Sequence, residues 1–143
     1  MRFAISSCLM GIHCKYSGGN NINEALVQYM KNHEVLLVCP EVLGGLPTPR
    51  ASAEIKNGRV VNTDGVDITQ QFEDGACKAI EQIHAFQPDC IITQSRSPSC
   101  GKGTIYDGDF QKKLINGNGK FVQKLLEQGF PVMDIQEFVK SIS

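Results

Sequence analysis

The chain has 143 residues, with 14 basic and 15 acidic side chains for a net charge of −1, and 41% of it is hydrophobic. That length suits one core and one domain spanning 1–143, and that apolar content excludes a disordered chain. No Lys/Arg-rich run stands out and no apolar run approaches the ~20 residues that span a bilayer, so neither nucleic acid nor a membrane is expected as a partner.

Arg2 to Ser6 reads as a short first strand. The chain turns polar at Ser6-Ser7 before a secretory apolar region forms, which predicts a cytoplasmic protein. In that reducing setting the six cysteines read as thiols kept for metal or catalysis rather than as disulfides. Leu9 to Asn21 reads as loop, punctuated by Ser17-Gly18-Gly19-Asn20-Asn21. Asn23 to Asn32 has helical spacing, with Leu26, Tyr29 and Met30 on one face. Val35 to Val38 is a continuous apolar run, as in a strand buried on both sides. Pro40 to Ala53, with its prolines and Gly44-Gly45, reads as a long loop. Asn57-Gly58 between Ile55 and Val60-Val61 suits the type I′ turn of a small hairpin.

The clearest helix runs from about Ile68 to Phe86, with Asp67 and Gln70 at its start. Ile68, Phe72, Ala76, Ala79, Ile80 and Ile83 make its apolar stripe, and Cys77 beside it reads as a packed core thiol. Cys90 to Thr93 is a second buried strand, followed by a loop from Gln94 to Gly108. Asn118 to Gln128 predicts a helix with Phe121, Val122, Leu125 and Leu126 inward, stopped at Gly129. Val132 to Ile135 is a last strand, and Gln136 to Ile142 a closing helix. Strands alternating with helices predict an α/β fold: a single three-layer, Rossmann-like or flavodoxin-like domain with a mainly parallel sheet.

The cysteine positions carry the chemistry. Cys8 lies just past the first strand, Cys39 directly follows the second, and Cys100 lies in the loop after Cys90–Thr93. In an open parallel sheet, ligands bind outside the carboxyl ends of the strands, so these three thiols are expected to meet at one edge. Small residues flank them, which lets backbone amides approach a cluster's sulfides. Three protein ligands leave one iron of a 4Fe–4S cluster without a protein donor, an open position that favours a soft atom such as sulfur. Cys14, six positions after Cys8, is open to three readings: a fourth ligand, a sulfur carrier or a packed thiol. Four thiols also suit a closed zinc site, although no C-x2-C pair occurs. A thiol phosphatase would need an arginine six positions after its cysteine, where Cys14 stands after Cys8 and Tyr106 after Cys100. No Gly-rich phosphate-binding motif is present.

The segments Ser6-Ser7-Cys8-Leu9-Met10-Gly11, Cys39 to Arg50 (CPEVLGGLPTPR), Arg96-Ser97-Pro98-Ser99-Cys100-Gly101 and Ile105-Tyr106-Asp107-Gly108 resemble those of a widespread bacterial family that includes iron–sulfur thiouracil desulfidases. The resemblance runs over nearly the whole chain. It implies a 4Fe–4S cluster on Cys8, Cys39 and Cys100, Glu41 as the acid/base carboxylate and Ser97 as a hydroxyl beside the substrate, a small thiolated nucleobase. Read without it, Glu41 is a solvated loop carboxylate, and Ser97 and Ser99 are turn residues around Pro98. Arg50 is read as an anion binder or as a partner of a carboxylate such as Glu54, Asp107 as a turn residue, and His13 as a residue that could line the site. Oligomeric state has no signal in the sequence.

Overall fold

A computed structural model describes residues 1–143. Its elements in chain order are β1 (Arg2–Ser6), α1 (Glu24–Met30), β2 (Glu34–Val38), α2 (Pro40–Leu43), β3 (Ala53–Lys56), β4 (Arg59–Asn62), α3 (Thr69–Phe86), β5 (Cys90–Thr93), β6 (Thr104–Tyr106), β7 (Leu114–Asn116), α4 (Lys120–Glu127), β8 (Val132–Asp134) and α5 (Ile135–Ile142). A 3-10 turn, Ser7–Met10, follows β1 directly.

The main sheet is fully parallel, in the order β2-β1-β5-β8. Residue alternation along β1 feeds two cores. Ala4, with Val38, Ile91 and Val132, packs under α3 (Ala76, Ala79, Ile80, Ile83) and α4 (Phe121, Val122, Leu125). Phe3 and Ile5, with Ile92, pack under α1 (Leu26, Met30) and α5 (Ile135, Phe138). Helices therefore cover both faces. Parallel pairing sends every strand's carboxyl end to one edge, where Cys8, Cys39 and the loop after Thr93 lie.

Several expectations need correction. The Val35–Val38 run belongs to the outermost strand, so its residues before Val38 are only half-buried, whereas Ile91 and Ile92 of β5 are fully buried. The stretch read as loop after Cys39 begins with α2, since Pro40 occupies the first helical position, where its missing N–H costs nothing. The stretch read as loop from Gln94 contains β6, which pairs antiparallel with β7 to make a second hairpin. Cys77 is exposed, because its place on α3 lies just outside the buried stripe. Leu126 is also exposed, one step past the buried Phe121, Val122 and Leu125. The β3–β4 hairpin forms as expected, with Asn57 and Gly58 at φ 51° and 76°, the pair of positive values that a type I′ turn requires.

α2 holds its place by backbone contact. A Cβ on Gly75 of α3 would lie 1.8 Å from the Pro40 carbonyl oxygen, and one on Gly44 would lie 2.0 Å from that of Gln71. Only glycine at both points lets the two backbones approach this closely. No helix is long and apolar enough to cross a membrane.

Candidate functional site

Cys8 and its neighbours Ser6 and Ser7 come from the end of β1. Cys39 is the residue before α2 and Glu41 sits in that helix's first turn, so a short rigid element presents both. Ser97 to Gly101 form a tight loop docked on the start of α4. The Lys120 and Phe121 amides donate to the Pro98 and Ser99 carbonyls at 2.8 and 3.0 Å, and Gly101 N–H donates to the Ser97 carbonyl at 2.9 Å. Gly119 is required there, because a Cβ would lie 2.4 Å from the Ser99 carbonyl carbon.

These elements enclose one cavity of about 500 Å³. Cys8, Cys14, Cys39, Cys100, Glu41, Ser97 and Ser99 all line it. Arg50 and Asn21 also line it, as do Lys15, Tyr16, Arg96, Tyr106, Phe110 and Lys112. His13 does not; its ring is 3.5 Å from the Asn20 amide instead. Asp107 acts in the turn of the second hairpin, accepting from the Asp109 amide at 3.0 Å.

The thiols are electrostatically unequal. Cys14 lies beside both Cys8 and Cys39, and the Cys39 sulfur is 3.9 Å from the Cys14 carbonyl oxygen. Contact with the Cys14 thiol lowers both partners. Cys39 falls to about 7, with further help from the Val42 amide and Arg50, and Cys8 is lowered also by the Asn21 amide 3.5 Å from its sulfur. The same contacts, together with burial, push the Cys14 thiol up. Burial pushes the Cys100 thiol up, against the lowering effect of the nearby Ser6 and Ser99 hydroxyls, the latter 3.6 Å from its sulfur.

Glu41 is held from two sides. Arg50 donates Nη2 and Nε to Glu41 Oε1 at 3.0 and 3.2 Å, and Ser99 donates its hydroxyl to Glu41 Oε2 at 2.8 Å. Arg50 thus serves Glu41, and Glu54 instead accepts the backbone amides of Gly108 and Phe110. Ser97 Oγ accepts the amides of Ser99 and Cys100 at 3.1 and 3.0 Å. The Arg50 pairing and the Ser99 contact were missed in the sequence. Only the unusual density of chain-shaping residues around Glu41 and Cys100 hinted at them.

The donor set can be tested against a metal group. No three His, Cys, Asp or Glu side chains converge on a point suited to one ion. A single zinc needs such convergence, with donors at about 2.0–2.3 Å. Thiols spread around a cavity, two of them shifted toward thiolate and flanked by hydrogen-bond donors, are instead the donor chemistry of a polynuclear iron–sulfur group, which places its irons on separate cysteines. The residues fit that group.

A parallel α/β sheet with buried thiols, a clamped carboxylate and serine hydroxyls at its carboxyl edge defines a thiol-lined ligand-pocket protein. Residues 3–137 match the model of the 2-thiouracil desulfurase family. The chain belongs to that family, as the cysteine-bearing segments indicated. It is similar to the solved structure of TudS, a 4Fe–4S-dependent thiouracil desulfidase, with a TM-score of 0.90 at 33% identity over 97% of this chain and 93% of that one. It is also 34% identical to YbbK of Bacillus subtilis (strain 168), an uncharacterized protein, over 93% of this chain and 95% of that one.

Proposed function

We propose that this protein is a desulfidase that removes sulfur from a small thiolated pyrimidine of the thiouracil type, at a 4Fe–4S cluster carried by Cys8, Cys39 and Cys100 with one iron left open. The observation that carries this reading is the single cavity onto which those three thiols, Glu41 and Ser97 all open. Family membership and the likeness to TudS support it. The fully parallel sheet with helices on both faces supports reading 1–143 as one three-layer, flavodoxin-like domain. A cytoplasmic location belongs to the same reading, since reduced thiols and an oxygen-sensitive group both call for a reducing compartment.

When bound, the cluster supplies a soft Lewis acid for the thiocarbonyl sulfur, which makes the attached carbon more electrophilic. The chain's own groups do the rest. Cys14 lines the same cavity beside Cys8 and Cys39 and supplies no ligand in this reading. Glu41 moves a proton at its carboxylate: it takes one from the attacking water and returns one to a ring nitrogen. Ser97 orders the ring by its exocyclic oxygen, and Tyr106 and Phe110, on the cavity wall, offer aromatic faces to a flat base. Water replaces sulfur on carbon, C=S becomes C=O, and sulfur leaves as sulfide. No electrons are transferred.

The test is anaerobic reconstitution with iron and sulfide, followed by sulfide release from 2-thiouracil. Cluster uptake with no release from any thio-compound overturns the reaction. Zinc in place of iron and acid-labile sulfide overturns the cofactor and favours a non-catalytic metal-binding module.

A further inference from the structure

Around Glu41 the hydrogen-bond directions are determined by counting donors and acceptors. A serine hydroxyl has one hydrogen and two lone pairs. Both lone pairs of Ser97 Oγ are taken by the Ser99 and Cys100 amides, at 3.1 and 3.0 Å. Its remaining contact, 3.0 Å to Ser99 Oγ, must therefore use its own hydrogen. Ser99 cannot be the donor in that contact if its hydrogen is spent elsewhere. Two acceptors compete for that hydrogen: Glu41 Oε2 at 2.8 Å and Cys100 Sγ at 3.6 Å. The carboxylate wins, being much the closer acceptor and a charged oxygen, whereas sulfur accepts hydrogen bonds weakly. Arg50 holds the other oxygen, Oε1, with two N–H groups, which leaves Oε2 to the hydroxyl. Ser99 is 3% exposed, so its hydroxyl is set among protein partners.

We propose that Ser99 is a positioning residue for the desulfidation inferred above, on which this proposal rests: by giving its hydrogen to Glu41 Oε2 it makes Ser97 a hydroxyl that only donates, matched to an acceptor atom, a ring carbonyl oxygen, on the substrate. The hydrogen of Ser97 rests on Ser99 Oγ and swings to the substrate oxygen when the ring arrives. A ring that offers an N–H at this position meets no free lone pair. Ser99 acts through its two neighbours, fixing the carboxylate that moves the proton and the hydroxyl that reads the base.

The experiment uses the cluster-loaded protein and compares wild type, Ser99→Ala, Ser99→Thr and Ser97→Ala. Iron and sulfide content, and kcat and KM for sulfide release, are measured with 2-thiouracil and with 2-thiopyrimidine, which lacks the ring carbonyl. Ser99→Ala is expected to hold iron and sulfide at the wild-type level while kcat falls about 10- to 100-fold and KM stays within about 3-fold; Ser99→Thr, which keeps the hydroxyl, restores kcat. Wild type is expected to prefer 2-thiouracil by about 100-fold or more, and Ser97→Ala to narrow that gap. An unchanged kcat in Ser99→Ala, a loss of activity that only tracks a loss of cluster, or a carbonyl preference that survives in Ser97→Ala overturns the proposal. Neutron diffraction from deuterium-exchanged protein gives a reading independent of turnover and of whether the variants fold. The deuteron of Ser99 is expected on the line to Glu41 Oε2 and that of Ser97 on the line to Ser99 Oγ; a Ser99 deuteron directed at Cys100 Sγ overturns the assignment. If wild type turns over no thio-compound, the desulfidase reading fails, while the deuteron positions still support or overturn the hydroxyl order.

Discussion

Arg50 and Glu41 form an ion pair at the wall of the cavity, with Arg50 Nη2 3.0 Å from Glu41 Oε1 and the two side chains only 7% and 17% exposed. Arg50 Nη2 also donates to the Cys14 carbonyl at 3.0 Å, while Nη1 donates to Pro47 O and Thr48 Oγ1, both at 3.0 Å. One guanidinium thus ties together the carboxylate, the thiol loop and its own proline-rich turn. Removing one partner of a desolvated pair leaves an uncompensated charge, at a cost of about 3 kcal/mol. Arg50→Ala is expected to unfold roughly 10 °C lower in a thermal melt. Arg50→Lys keeps the charge but not the planar fork, and is expected to recover only part of that loss. An Arg50→Ala melt that overlays wild type would show that the pair contributes nothing.

Gly75 pits helix propensity against sterics. Mid-helix, replacing glycine by alanine ordinarily stabilises by about 1 kcal/mol. Here the new methyl would lie 1.8 Å from the Pro40 carbonyl oxygen, which is backbone and cannot swing aside. Overpacking of this kind costs typically 1–3 kcal/mol, and the clash wins. Gly75→Ala is expected to lower stability in urea titrations and to reduce iron uptake, because α2 carries Glu41 and Cys39 immediately precedes it. A stabilised variant would contradict the backbone contact.

The cysteines are expected to separate into classes on reconstitution. Replacing Cys8, Cys39 or Cys100 by Ser exchanges a soft thiolate for a hard hydroxyl, so each variant loses most of its bound iron and acid-labile sulfide. Cys14→Ala still takes up a cluster but releases it faster to a chelator, since a neighbouring thiol of the cavity wall, and not a ligand, is gone. Cys77→Ser behaves as wild type, its side chain being exposed on the outer face of α3. Iron and sulfide assays decide among these outcomes, and complete loss in Cys14→Ala would make it a ligand.

Asp67 gives a pH dependence of known sign. Its carboxyl is held down at about 2, below the ordinary 3.8, first by the Thr69 hydroxyl, then by the Thr69 amide, which donates to Oδ1 at 2.9 Å, and also by Arg59, whose Nε donates to Oδ2 at 2.9 Å. A group lowered in the folded state binds protons more readily when unfolded, so its stabilising effect is complete above about pH 4 and fades as pH falls toward 2. Asp67→Asn is expected to be less stable than wild type at pH 7 and to converge with it near pH 2. A constant gap across that range in acid-dependent melts would remove the carboxylate from the start of α3.

The sequence alone determined the alternation of strands and helices, the stripe of α3 and the Asn57-Gly58 turn. It also marked Cys8, Cys39 and Cys100 as residues following strands. Each of these depends on spacing or local backbone preference within a few residues, which a linear chain records directly. Family membership was legible for a similar reason, since Cys39 to Arg50 is one contiguous block.

Tertiary structure decided who touches whom. Glu41 and Ser99 lie 58 positions apart, yet share a hydrogen bond, and no periodicity encodes that distance. Arg50 faced two carboxylates close in sequence, Glu41 and Glu54, and only the path of the turn through Pro47 and Thr48 selected Glu41. The Val35–Val38 run reads as buried on both sides, but the sheet order made it an edge, because burial depends on neighbours that a strand does not specify. Composition and spacing chose the chemical groups. Packing of distant segments gave them their partners, because hydrogen bonds and ion pairs fall off within a few ångströms through space and carry no trace along the chain.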